Sequence, residues 1–278
     1  MAIITFWSQN KKEIGQTATA IAVATHMAIE HNMKILLLST EYGATEIERG
    51  FWNNNKQKKA LGFLFTSAPK VSLDTGVEGL VKAVSSRRLT PEMITNYTKI
   101  VFKDRLEVLD NFTGREEEYL KVQQAYLDII KAANSYYDRV IVDLNKGLSS
   151  FSNAVLEISD VIAYGIGQRL ETINQYKEIK NTGILMKLNR EVLYCGRYLE
   201  QSKYNAKNIE RYLKVGEECH PITFTNLYSE AMEEGQVADY FLKVRTVKEG
   251  DKNTELVNNI EKLSNAIQYR IKMQQMKM

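Results

Sequence analysis

Short runs of apolar, β-rich residues recur along this chain, and helix-patterned segments separate them. Ile3–Trp7, Lys34–Leu38, Arg139–Asp143, Val161–Ile166 and Gly183–Leu188 read as strands, with a sixth at Ile222–Phe224. Their apolar residues are consecutive instead of alternating, as expected of strands buried on both faces. Helical spacing occupies Ala18–His31, Glu116–Asn134, Arg169–Lys177, Asn205–Leu213 and Ser229–Leu242, and a last helix starts at Asn253. Doubly buried strands joined by helices predict an α/β fold, a mainly parallel sheet with helices on both faces. Ligands of such sheets bind beyond the carboxyl ends of the strands.

The chain has 278 residues, 44% hydrophobic and 26% charged, enough to bury a large core. The reading is one domain over 1–250, with an insertion at about 44–115, followed by a C-terminal helix and basic tail over 251–278. Within the insertion, Leu61–Thr66 and Thr98–Leu109 read as strands and Leu73–Ser85 as a helix. A formal charge of only +3 makes no general case for nucleic acid. The two cysteines, Cys195 and Cys219, lack metal-ligand spacing and fit a reducing compartment. Lys11 and Lys12 follow the first apolar run instead of preceding it, which is not the order of a signal peptide. A cytoplasmic location is expected. His26, His31 and His220 share no metal spacing, and the first two read as ordinary helix residues.

The stretch Ser8–Thr19, "SQNKKEIGQTAT", lies between the first strand and the first helix, where a phosphate-binding loop belongs. Against the pattern G-x-x-x-x-G-K-[ST], Gly15 and Thr17 match. Asn10 stands for the first glycine and Gln16 for the lysine. Asn tolerates positive φ better than most residues. Gln16 retains a hydrogen-bond donor but no charge. Glu13 repels a phosphate unless it points outward. Taken alone, the stretch also reads as a simple strand–turn–helix connection.

In its wider pattern the chain resembles the ParA/MinD group of P-loop ATPases. Their loop, K-G-G-[VIT]-G-K-[ST], is met here by Lys11, Ile14, Gly15 and Thr17; Lys12 and Glu13 replace glycines and Gln16 replaces the loop lysine. "KILLLSTE" places Ser39 and Glu41 where the group has D-x-D. "YDRVIVDLNKG" (137–147) matches the segment carrying the Walker B-like acid, Asp143, and the switch glycine, Gly147. "SDVIAYGIGQRLETINQ", "GILMKLNRE" and "HPITFTNLYSEAMEEGQVADYF" resemble the later segments in the right order. The altered loop, "SKYNAKNIERYL" and "EAMEEGQVADYF" are most similar to the divergent branch around TadZ and CpaE, which places Tad pilus machinery at cell poles.

The resemblance implies a three-layer P-loop NTPase fold of the SIMIBI class and a set of roles. Asn10, Lys11, Gly15, Gln16, Thr17 and Ala18 would hold ATP or ADP, with Asn189 near the adenine. Thr17 and Asp143 would hold Mg²⁺. Glu41 would orient water, and Lys11 would reach across a homodimer to the partner's phosphates, unless it is a solvated loop lysine. Loss of a loop lysine removes charge stabilisation worth about 10²–10³ in rate, so little or no hydrolysis is expected. The implied function is a dimeric positioning scaffold or adaptor for a membrane-associated pilus or secretion machine, polar or peripheral to the inner membrane face. The alternatives are an active partitioning ATPase with nonspecific DNA binding and a structural protein that binds no nucleotide. A further open point is the last helix. Leu256, Ile260, Leu263, Ile267 and Ile271 recur at helical spacing beside Lys262, Arg270, Lys272 and Lys277. Residues 253–278 could therefore lie on a membrane or dock on the domain; the many neutral Asn and Gln residues favour docking.

Overall fold

The computed structural model describes residues 1–52, 76–183, 185, 188–214, 218–245 and 252–276. Eight strands form one sheet: β1 (Ala2–Trp7), β2 (Ile35–Ser39), β3 (Thr98–Phe102), β4 (Leu106–Leu109), β5 (Arg139–Asp143), β6 (Val161–Ile166), β7 (Glu191–Gly196) and β8 (Cys219–Ile222). Their order is β3-β4-β2-β5-β1-β6-β7-β8. Every neighbouring pair is parallel except the edge hairpin β3–β4.

The register explains the unbroken apolar runs. Ile4, Leu37 and Ile141 stand side by side in adjacent strands and point to one face of the sheet. Ile3, Leu36 and Val140 point to the other. On the first face lie α1 (Lys11–Ile14), α2 (Gln16–Glu30), α3 (Glu46–Phe51), and three helices from the C-terminal part: α9 (Asn226–Glu234), α10 (Val237–Val244) and α11 (Lys252–Gln275). The second face carries α4 (Gly76–Ser85), α5 (Glu116–Asn134), α6 (Ser150–Ile158), α7 (Leu170–Thr182) and α8 (Ala206–Leu213). The sandwich of helices, sheet and helices is the α/β architecture that doubly buried strands require.

Three sequence expectations are corrected. Among the described residues of the Gly183–Leu188 run there is no strand: Leu185 and Leu188 are helical, and the strand follows at Glu191–Gly196. Segment 44–115 is no mere insertion, because β3 and β4 belong to the main sheet and β4 pairs with β2. The expected strand Leu61–Thr66 lies outside the described residues, as do residues 73–75 of the expected helix. Ser229–Leu242 is two helices, since Gly235 takes φ 71 and caps the first in the left-handed conformation. Last, the stripe Leu256, Ile260, Leu263, Ile267 and Ile271 is fully buried against the domain, chiefly on α2. The apolar face that a lipid surface would need is thus already covered. Among the described residues no helix is long and apolar enough to cross a membrane.

Candidate functional site

Strand register brings the first functional groups together. Phe6, Ser39 and Asp143 are partners across β1, β5 and β2, so all three stand at the carboxyl edge of the sheet. From β1 the chain enters α1, turns at Gly15 with φ 64, and starts α2 at Gln16. A Cβ on Gly15 would meet the Phe224 ring at 2.6 Å, so both the turn and the close packing require glycine. This edge opens into a cleft of about 480 Å³ lined by Lys11, Lys12, Thr17, Glu41, Arg197 and Phe224, with Tyr228, Met232 and Glu233 of α9 on the far wall.

Asp143 is the centre of the arrangement and is fully buried. Its Oδ2 accepts from Thr17 Oγ1 at 2.8 Å and Ser39 Oγ at 3.3 Å. Its Oδ1 accepts from Gln16 Nε2 at 2.8 Å. Lys11 Nζ lies 2.8 Å from Asp143 Oδ2 and 2.8 Å from Glu41 Oε2. Burial pulls the Lys11 pKa down, but the two carboxylates outweigh burial and hold it above its ordinary value. The group is therefore an ammonium at neutral pH.

The structure places each residue singled out from the sequence. Thr17 and Asp143 meet, as a magnesium-binding pair should. Lys11 turns inward to its own chain's carboxylates instead of outward to a partner. Gln16 is fully buried: its amide also donates to Phe6 O at 3.0 Å and Leu144 O at 2.8 Å, while Ser8 Oγ donates to its Oε1 at 2.9 Å. No side-chain donor of Gln16 is left to face a phosphate. Asn10 takes φ −120, not positive φ, and its amide donates to Gln175 on α7 at 2.9 Å. Glu13 points out of the loop and pairs with Arg169 at 2.9 Å. Ala18 lines the cleft, and its carbonyl accepts from Tyr228 Oη at 2.6 Å. Asn189 precedes β7 and so stands at the opposite, amino edge of the sheet, where its carbonyl accepts from Gln274 at 3.4 Å. It is not part of the cleft. Arg197, just after β7, is. Misreading the strand misplaced the residue; the "YCGRY" end of the true strand was the available signal. Phe224 and Met232 carried no signal of their own.

A nucleotide triphosphate with Mg²⁺ needs free backbone amides in the loop and a free cation beside the phosphates. Here Ile14 N–H donates to Asn10 O at 3.2 Å, and Gly15 N–H donates back into the α1 turn. Lys11 is engaged by Asp143 and Glu41, and Glu46 and Glu233 line the cleft together with Lys12 and Arg197. The Thr17–Asp143 pair fits a metal; the loop, in this conformation, does not fit a triphosphate.

No family model matches the sequence, and no curated protein matches it. Solved structures do. A ParA-family ATPase from Chlorobium tepidum TLS superposes with TM-score 0.70 at 16% identity, over 97% of this chain and 98% of that one. MinD from Pyrococcus horikoshii OT3, complexed with Mg-ADP, gives 0.64 at 13% identity over 98% of each chain. MinD from Aquifex aeolicus, in its complex with MinC, gives 0.64 at 13% identity over 97% and 96%. Across its described residues, the chain has the three-layer P-loop NTPase fold of the ParA/MinD ATPases.

Proposed function

We propose that the chain is a scaffold on the ParA/MinD fold that positions partner proteins, with little or no nucleotide turnover. One observation carries the reading: Asp143, the acid expected to serve Mg²⁺, is saturated by Lys11, Thr17, Gln16 and Ser39. A lysine in the loop would stabilise the charge that develops on transferred phosphate; Gln16 is neutral and faces inward. The fold is one on which partners dock, as MinC does on the Aquifex MinD. We assign the chain to the TadZ/CpaE-like branch on its altered loop, and its partners to a membrane-associated pilus or secretion machine. In this reading it acts as a homodimer at a cell pole or at the inner membrane face.

A second reading is supported by the Thr17–Asp143 contact at 2.8 Å. ATP or ADP with Mg²⁺ would then reopen the loop and lock the dimer without being consumed. Calorimetric titration of wild type and Asp143→Ala with Mg-ATP separates the two, with phosphate release and sedimentation followed in the same samples. The scaffold reading expects neither saturable binding nor phosphate release. Binding that weakens in Asp143→Ala and shifts the wild type to dimer would select the locked form. Sustained phosphate release would sink both and select an active partitioning ATPase.

A further inference from the structure

Lys11 stands where a metal ion would. Its ammonium touches Glu41 Oε2 and Asp143 Oδ2, each at 2.8 Å. Asp143 Oδ2 is shared with Thr17 Oγ1 at 2.8 Å and Ser39 Oγ at 3.3 Å. Two carboxylates and two hydroxyls thus converge, from the start of α2, the end of β2 with its following turn, and the end of β5. This is the donor set of a hard divalent cation that keeps part of its water shell. Among the described residues no cluster of three His, Cys, Asp or Glu side chains could hold a metal, and an oxygen set with hydroxyls needs none.

We propose that Thr17, Ser39, Glu41 and Asp143 form a divalent-cation site whose occupant in the free protein is the chain's own Lys11 ammonium. The lysine is tethered, so its effective concentration exceeds that of a free ion. Mg²⁺ also gives up its water reluctantly. A dication entering the site would meet a buried ammonium of like charge and must expel it. Lys11 lies in the single turn of α1, directly before the left-handed Gly15 on which Phe224 packs, so the ammonium is delivered to the two carboxylates from a fixed stretch of backbone.

The inference rests on the scaffold reading of the preceding section but fails separately from it. Phosphate release by the wild type would sink that reading, whereas metal uptake by the wild type alone would sink this one. The test uses the full chain without nucleotide. Mn²⁺ binding is followed by electron paramagnetic resonance, and Tm is measured with and without Mg²⁺. Wild type should bind no Mn²⁺, and Mg²⁺ should leave its Tm unchanged. Lys11→Ala should lose about 5–10 °C without metal, take up Mn²⁺, and recover most of the loss in Mg²⁺. Adding Asp143→Asn to Lys11→Ala should abolish the uptake. Should Lys11→Ala not fold, Lys11→Met, which keeps the length, is measured in its place. Uptake by the lysine variant and not by wild type supports the proposal; any other pattern of uptake overturns it.

Discussion

The loop after β1 and the last helix, α11, invite opposite outward readings, one toward phosphates and one toward lipid. Both are turned inward, by different physics. In the loop a few directional contacts on one carboxylate hold a charge inside the protein. In α11 five aliphatic side chains are buried without a single directional contact among them. The loop should therefore fail sharply when one group is removed, whereas the helix should lose stability in proportion to the volume deleted.

Asp143→Ala gives the largest expected effect. It leaves the Lys11 ammonium buried with Glu41 alone, while the Gln16 amide keeps Phe6 O and Leu144 O as acceptors; the expected loss is about 3–5 kcal/mol in urea unfolding. Leu263→Ala on the helix should cost about 2–4 kcal/mol, set by the cavity left. A Leu263→Ala loss larger than that of Asp143→Ala would reverse the contrast. Gln16→Leu keeps the bulk but leaves Phe6 O, Leu144 O and Asp143 Oδ1 without this donor. About 1–3 kcal/mol should be lost, and no phosphate release should be affected.

The pH dependence separates the two regions again. His26, on the α2 face covered by α11, has its pKa lowered below 6.5 by burial, against the opposing pull of Glu30 and Glu261. A depressed histidine contributes stability that is present above pH 6.5 and is lost as pH falls through the folded value. Lys11 is raised above 10.5, so its contribution persists through the acid and neutral range and is lost as pH rises beyond 10.5. Unfolding curves across pH should show both limbs, with His26→Gln flattening the acid one and Lys11→Met the alkaline one. The smallest effect belongs to Glu13→Gln. The Glu13–Arg169 pair is largely exposed, and its loss should change stability by at most about 0.5 kcal/mol.

Much of the fold was legible because buried parallel strands are written as unbroken apolar runs. β5 and β6 occur at the residues expected, and α5 spans Glu116–Asn134 as its periodicity requires. β7 was missed because its first residue is Glu191, a buried carboxylate paired with Lys180, while the more apolar run just before it, where Leu185 and Leu188 are helical, drew the strand assignment. Composition cannot separate a short buried strand from a helical turn. In the site, the Thr17–Asp143 meeting was legible from the order of the segments. The direction of Lys11 was not. A lysine beside a second lysine reads as solvated, and only the register of β2 against β5 shows that Glu41 and Asp143 converge on it. Glu13 looked damaging in one dimension and is harmless in three, because Arg169 draws it outward.

Lys11, Thr17, Gln16 and Ser39, all groups of the chain itself, hold the carboxylate that a nucleotide's metal would need. The most direct measurement is a crystal structure of the full chain grown with a large excess of Mg²⁺ and a non-hydrolysable ATP analogue. In that crystal α1 should be intact, with Lys11 on Asp143 and Glu41 and no triphosphate in the cleft. A triphosphate bound by the Ile14 and Gly15 amides, with Mg²⁺ on Thr17 and Lys11 displaced, would contradict it.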